Sequence, residues 1–72
     1  MRVLVTGGTG FVGGHVVHAL RAAELGVRCL VRDRRRAARL AGWGCELADG
    51  DLTDPASLHA AAAGCEAAVN LG

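Results

Sequence analysis

The sequence predicts an α/β fold, a four-stranded parallel sheet with helices between its strands in the order β-α-β-α-β-α-β. Three observations predict it. Short β-rich runs alternate with longer helical stretches along all 72 residues, and no repeat or low-complexity linker interrupts them. The first run, Arg2–Thr6, is almost wholly apolar in its interior, as strands are when both faces of a sheet are covered. Glycine then clusters immediately before the pattern turns helical.

Each later element carries its own signal. From Phe11 the apolar residues Val12, Val16, Leu20 and Ala23 recur at helical spacing, which lines one face of a helix ending near Gly26. Val27–Val31 reads as the second strand, and Arg34–Leu40 as a short second helix stopped by Gly42 and Gly44. Cys45–Ala48 is a third, weaker strand. Asp54 offers an N-cap with Pro55 at the first helical position, where proline has no N–H to lose. That third helix runs through the alanine block Ala60–Ala63, and Gly64 closes it. Ala67–Leu71 is the fourth strand. Right-handed crossovers then give an expected strand order of 3-2-1-4.

Composition bounds the functions open to such a chain. At 72 residues, 51% apolar and 21% charged, it is one domain at most, spanning residues 1–72. Chains of this size bury about 60% of their unfolded surface, and a single core of this size supplies roughly 3–5 kcal/mol. Eight basic residues, all arginine, against seven acidic ones leave a net charge of +1 and no global field to gather nucleic acid or anionic lipid. Phe11 and Trp43 are the sole aromatics, too few to stack bases along a strand, so no nucleic-acid partner is expected. The apolar stretch Val3–Val5 is far too short for a signal segment or a membrane span, and the chain reads as cytoplasmic.

Several constellations read as structural. Cys29, Cys45 and Cys65 are odd in number and form no Cys-x-x-Cys pair, so they read as buried, reduced thiols. His15 and His18 share a helix face but lack a third ligand, and no metal site is expected. Ser57 and His59 fall on different helix faces, which leaves Ser57 as a capping residue of the third helix. The chain has neither lysine nor tyrosine, so no amine or phenol chemistry comes from within it and no catalytic residue is assigned.

The glycine cluster is the informative motif. Gly7-Gly8-Thr9-Gly10-Phe11-Val12-Gly13 stands between a strand and a helix and contains two overlapping glycine triplets, one phased on Gly7 and one on Gly8. Such a loop needs glycine for three reasons: a turn with positive φ, main chain bare enough for a pyrophosphate to approach, and close passage of the helix over the strand. The helix then offers its free N–H groups and the positive end of its dipole to the phosphates. A phosphate loop of the Walker type needs a terminal lysine and is excluded. Arg32 and Asp33 stand at the tip of the second strand, about 20 positions after Gly13, as the dinucleotide fingerprint requires. An acid there accepts from the ribose 2′-hydroxyl of NAD, whereas an arginine pairs with the 2′-phosphate of NADP. Arg32 comes first after the apolar run, so NADP is favoured over NAD. Asp33 then pairs with one of the arginines that follow, and most of Arg34–Arg36 form a solvated helix face.

These residues resemble a known superfamily. The run from Val3 to Gly13, the segment Cys29–Asp33 and the segment Gly50–Leu58 together resemble the amino-terminal part of an extended or atypical short-chain dehydrogenase/reductase, of the NAD-dependent epimerase/dehydratase or NAD(P)H-binding type. The resemblance covers essentially the whole chain. It implies an incomplete Rossmann-type half-domain in which Gly7, Gly10, Phe11, Val12 and Gly13 hold the pyrophosphate, with Thr9 adding a main-chain contact. It places Arg32 and Asp33 at the adenosine ribose, Asp51 and Leu52 at the adenine, and Asn70, Leu71 and Gly72 in the loop beneath the cofactor. The superfamily's active-site Tyr-x-x-x-Lys has no counterpart here, so the implied function is dinucleotide binding without the catalytic half. The ending Val69-Asn70-Leu71-Gly72 is similar to the branch related to an accessory subunit of respiratory complex I, which keeps a non-catalytic binding or subunit-interaction module as an alternative. A methyltransferase fragment is a further alternative, since its glycine loop also follows the first strand. The exposed edge of the fourth strand is expected to pair with another copy of the chain.

Overall fold

Seven elements follow one another as the sequence order requires: β1 (Arg2–Thr6), α1 (Phe11–Ala22), β2 (Gly26–Val31), α2 (Ala38–Gly42), β3 (Glu46–Asp49), α3 (Pro55–Ala62) and β4 (Ala67–Asn70). The structure is a computed structural model that describes residues 1–71; Gly72, which the resemblance places beneath a cofactor, lies outside the described residues. All strand pairings are parallel, and the sheet order is β3-β2-β1-β4, as expected. The register aligns Thr6 with both Leu30 and Asn70, so the carboxyl ends of the two central strands finish side by side.

Strand alternation divides the core into two layers. Val3 and Val5 of β1 and Val27, Cys29 and Val31 of β2 face α1 and α2, where they meet Val17, Ala37, Leu40 and Cys45. Leu4 and Leu30 point the other way and pack on Ala61 of α3, with Ala48, Leu58 and Cys65 around them. Because both faces of β1 are covered, its interior reads as a continuous apolar run. Cys29 and Cys45 are buried free thiols as expected, and Cys65 is half-buried. Burial, with Cys45 beside it, pushes the Cys29 thiol up to about 12, so it packs as a small apolar group.

The boundaries moved where a main-chain hydrogen bond outweighed the sequence signal. α1 ends at Ala22 instead of near Gly26, because Glu24 takes a left-handed φ of 63°. Glu24 N donates to Arg21 O and Leu25 N to Leu20 O, which closes the helix in a Schellman turn without glycine. α2 begins at Ala38 instead of Arg34, since the Asp33 carboxylate accepts from Arg35 N at 2.9 Å and diverts residues 34–37 into a turn. Gly44, at φ +84°, closes α2 in a second Schellman turn that uses Cys45 N, so β3 starts one residue later than expected, at Glu46. The third helix is capped as read, with Asp54 accepting from Ala56 N at 3.2 Å and Gly64 in a left-handed turn after it. The buried face of α1 is Gly13, Gly14 and Val17, with Leu20 partly covered, and not the stripe that includes Val12, which is 63% exposed. Glycine sets that face because α1 presses so close to the sheet that small residues are what fit.

Arg28 anchors α3 to the sheet. Its side chain leaves β2 on the α3 side, only 16% exposed, and donates to the carbonyl oxygens of Ala61 and Ala63 at the end of α3 and to Glu46 at 3.1 Å. A guanidinium thus satisfies carbonyls that a helix end leaves without partners. Arg28→Met keeps the apolar stem but strands these acceptors, and unfolding free energy should fall by about 1–3 kcal/mol. Urea denaturation followed by circular dichroism reads this directly; an unchanged midpoint would show that the anchor contributes nothing.

Candidate functional site

The site lies at the carboxyl ends of β1 and β2, where three connections converge. The first is the turn from β1 into α1. Gly7 leaves the strand with φ +80°, in the left-handed region that side chains disfavour. Gly10 N then bonds back to Gly7 O at 3.3 Å, and Gly10 itself occupies the N-cap of α1 in extended conformation. No side chain caps the helix and its first turn holds no acid. The opening N–H groups at Phe11, Val12 and Gly13 therefore have no partner within the helix. Phe11 and Val12 are 82% and 63% exposed, and of the predicted glycine-loop residues Gly7 lines the cleft described below while Gly10, Phe11, Val12 and Gly13 lie outside its lining.

Gly13 does something different from Gly7. A Cβ on Gly13 would collide with the carbonyl of Gly7 and come within 2.8 Å of the Gly8 Cα. Its hydrogen is what lets α1 cross the loop at contact distance. Of the three reasons for glycine in this loop, the turn belongs to Gly7 and the close crossing to Gly13.

The second connection follows β2. Arg32 is largely exposed, its guanidinium 3.9 Å from the Asp51 carboxylate. Asp33 turns away, accepting from Arg35 N at 2.9 Å with the Arg35 side chain 3.8 Å off, as the reading of an arginine partner anticipated. Arg34 pairs with Asp49 at 2.8 Å. Of the arginines that follow Asp33 and add positive charge near Arg32, the fold selects Arg36: residues 34–37 form a turn and not the expected helix, and this brings Arg36 beside Thr9, Arg32 and Asp33 around a recess of 250 Å³. Nothing short of the Asp33 turn in the folded chain would have signalled it.

The third connection, after β3, carries Asp51 and Leu52. Ser57, in the first turn of α3, accepts from Asp51 N at 3.1 Å and lies 2.9 Å from Asp54 O, so it braces this turn from below instead of capping its own helix. Asp51 Oδ1 accepts from Thr53 N at 2.9 Å and from Thr53 Oγ1 at 3.0 Å. Together the three connections enclose a cleft of 320 Å³ floored by Thr6, Leu30 and Val31, with Gly7 and Thr9 on one side and Arg32 and residues 50–53 on the other. At its base Thr6 Oγ1 donates to Asn70 Oδ1 at 2.7 Å, which ties β1 to β4. Asn70 and Leu71 thus stand at the end of β4 next to the cleft floor, Leu71 N bonding to Thr6 O at 2.9 Å.

A parallel βαβαβαβ sheet with a glycine turn feeding a bare helix terminus at the ends of its central strands defines the Rossmann-type nucleotide-binding class. The chain matches the NmrA-like family over residues 1–71 and belongs to that family, whose structural neighbours are NAD(P)-binding reductases and epimerases of the short-chain dehydrogenase/reductase type. It is 44% identical over 64 residues to an NAD(P)H azoreductase of Xenophilus azovorans, covering 89% of this chain and 22% of that protein. It is 45% identical over 64 residues to the photosystem II assembly factor Ycf39 of Cyanophora paradoxa, covering 89% of this chain and 20% of that one. Among solved structures it superposes with a TM-score of 0.81 on the triphenylmethane reductase of Citrobacter sp. complexed with NADP(H), at 37% identity over 94% of this chain and 25% of that one. The chain therefore spans about a fifth of the length of these curated relatives.

The Asp51 turn generates a measurable expectation. Hydrogen bonds from the Thr53 main chain, then its hydroxyl, and last the Arg32 charge hold the Asp51 carboxyl below the usual aspartate range. A depressed carboxyl contributes stability while it is ionised, above its unfolded-state value, and that contribution is lost as pH falls through the folded value. Thr53→Val removes one donor, and the Asp51 carboxyl followed by NMR titration should move up toward an ordinary aspartate. No movement would mean that the hydroxyl plays no part.

Proposed function

We propose that this chain binds the adenosine diphosphate portion of NADP, with NAD as the weaker ligand. The observation that carries the reading is the uncapped start of α1 above a glycine loop, set beside a cleft with an apolar floor. Phe11, Val12 and Gly13 would give main-chain N–H groups to the pyrophosphate, and Gly7 and Gly10 the room for it. Leu30 and Val31 form a surface that suits the adenine, with Asp51 and Leu52 at its rim. Arg32 and Arg36 would flank the ribose 2′-phosphate, while the Asp33 carboxylate is already engaged with Arg35, which weakens the case for NAD. The relatives named for NAD(P)H and NADP(H) support the same cofactor.

Bound nicotinamide supplies hydride chemistry; within these 72 residues no tyrosine or lysine is present to move the accompanying proton. The chain's own contribution is binding and orientation, and a purely non-catalytic role is the second reading. It is supported by the likeness to a protein named as an assembly factor. No helix among the described residues is long and apolar enough to cross a membrane, which agrees with a site worked from aqueous solution.

Calorimetric titration of the chain with NADP, NAD and S-adenosylmethionine tests the assignment. NADP should bind most tightly, and Arg32→Ala should weaken it about tenfold while leaving NAD nearly unchanged. Equal losses for both cofactors would refute the 2′-phosphate contact, and tightest binding of the methyl donor would refute the cofactor class. The sheet supports one more expectation, because β4 is bonded to β1 on one side and to no further strand among the described residues on the other. The outer-edge main-chain groups of residues 67–69 favour pairing with a second copy of the chain. Sedimentation velocity should then show dimer growing with concentration, which proline at Ala68 abolishes.

A further inference from the structure

We propose that the groove between α1 and α2, which shares no lining residue with the cleft at the strand ends, is a separate site for a planar aromatic anion. Phe11, His15 and His18 recur along one stripe of α1, and Arg39 and Trp43 rise opposite them from α2 and its C-cap. Between them lies a hollow of 490 Å³, within the range of small-molecule sites. Its walls are already ordered by ring contacts. Phe11 meets His15 edge to face at 4.8 Å, and His18 meets Trp43 in the same way at 5.2 Å. The floor is Gly14, so bare that the Arg39 guanidinium comes within 3.1 Å of where a Cβ would stand.

Charge decides what such a groove accepts. Its lining includes a guanidinium and two imidazoles but no carboxylate. Arg39 sits 5.4 Å from the centre of the Trp43 ring and, among the described residues, donates to no oxygen. Arg36, in the turn before α2, shares that state, whereas Arg34 is bonded to Asp49, Arg35 lies against Asp33, and Arg21 donates to the carbonyls of Trp43 and Leu25. A planar donor fork held on an indole, with unspent hydrogen bonds, matches a carboxylate or sulfonate in geometry as well as in sign. The exposed rings of Phe11 and His18 and the half-buried ring of Trp43 supply edges and faces for the aromatic body of the same ligand. The inference stands apart from the cofactor assignment and shares no charged residue with it.

The test uses the ¹⁵N-labelled chain with 1-naphthoate as probe and the neutral 1-naphthalenemethanol as its isostere. Trp43 is the chain's single tryptophan, so its indole N–H resonance reports on this groove alone. Naphthoate should shift that resonance saturably, with the neutral isostere and the Arg39→Gln variant each binding about tenfold more weakly. The isostere comparison is made on the unaltered chain and so does not depend on the variant folding. The proposal is overturned if the shift does not saturate, if both probes bind alike, or if the perturbed amides centre on Thr6, Arg32 and Asp51. It is also overturned if the Trp43 signal moves with protein concentration in the absence of probe, which would make the occupant a second copy of the chain.

Discussion

Where α1 crosses the end of β1, the main chains of Gly13 and Gly7 touch with no space for a side chain between them. That contact fixes how near the helix terminus comes to the strand end, and with it the direction in which the first helical N–H groups point. The apolar layer beneath follows from the same approach, because Val17 of α1 packs with Leu40 and Cys29 in the core, and Gly8 sits against all three. Gly7 then turns the chain through a left-handed conformation so that the helix can begin at once. Remove the contact and both the cleft and the packing of the larger core layer lose their geometry together.

Arginine is the chain's sole cationic side chain apart from histidine, and the fold sorts its eight copies by what they face. Arg28 is drawn inward to the carbonyls that end α3, and Arg21 to those that end the turns after α1 and α2. Arg2, Arg34 and Arg35 meet carboxylates at the surface, where such pairs add little to stability. Arg32 has only a distant partner in Asp51, while Arg36 and Arg39 meet no oxygen among the described residues. Arg32 and Arg36 border a recess that Asp33 also lines, and Arg39 borders a groove whose lining holds no carboxylate. Guanidinium groups left unsatisfied by the chain mark where an external anion is accommodated most readily.

Asp33 shows how a small side chain redirects function. Its carboxylate could face a ribose, and instead it accepts the Arg35 amide and begins a turn. That turn shortens α2, which lifts Arg36 off the helix face and sets it beside Arg32 and Thr9. One local hydrogen bond thereby gathers two guanidinium groups beside the Asp33 carboxylate at the tip of β2.

The order of elements, the parallel sheet and the loop from Gly7 to Gly13 were legible in the sequence, since each rests on local properties: alternation, helical spacing, capping by Asp54 and the unique backbone freedom of glycine. Spacing from the glycine loop pointed to Arg32 and Asp33, and the superfamily resemblance to Asp51 and Leu52; the fold brings Arg32, Asp51 and Leu52 to one cleft. It could not place the end of α1, because the left-handed residue there is Glu24, nor the buried face of α1, because that face is made of glycine and not of the apolar stripe through Val12. It also could not single out Arg36 among the arginines that follow Asp33, or find the bracing hydrogen bonds of Ser57 and the groove around Trp43. These depend on which segments are brought together from distant parts of the chain, and a local pattern holds no information about a partner that only the packed sheet supplies.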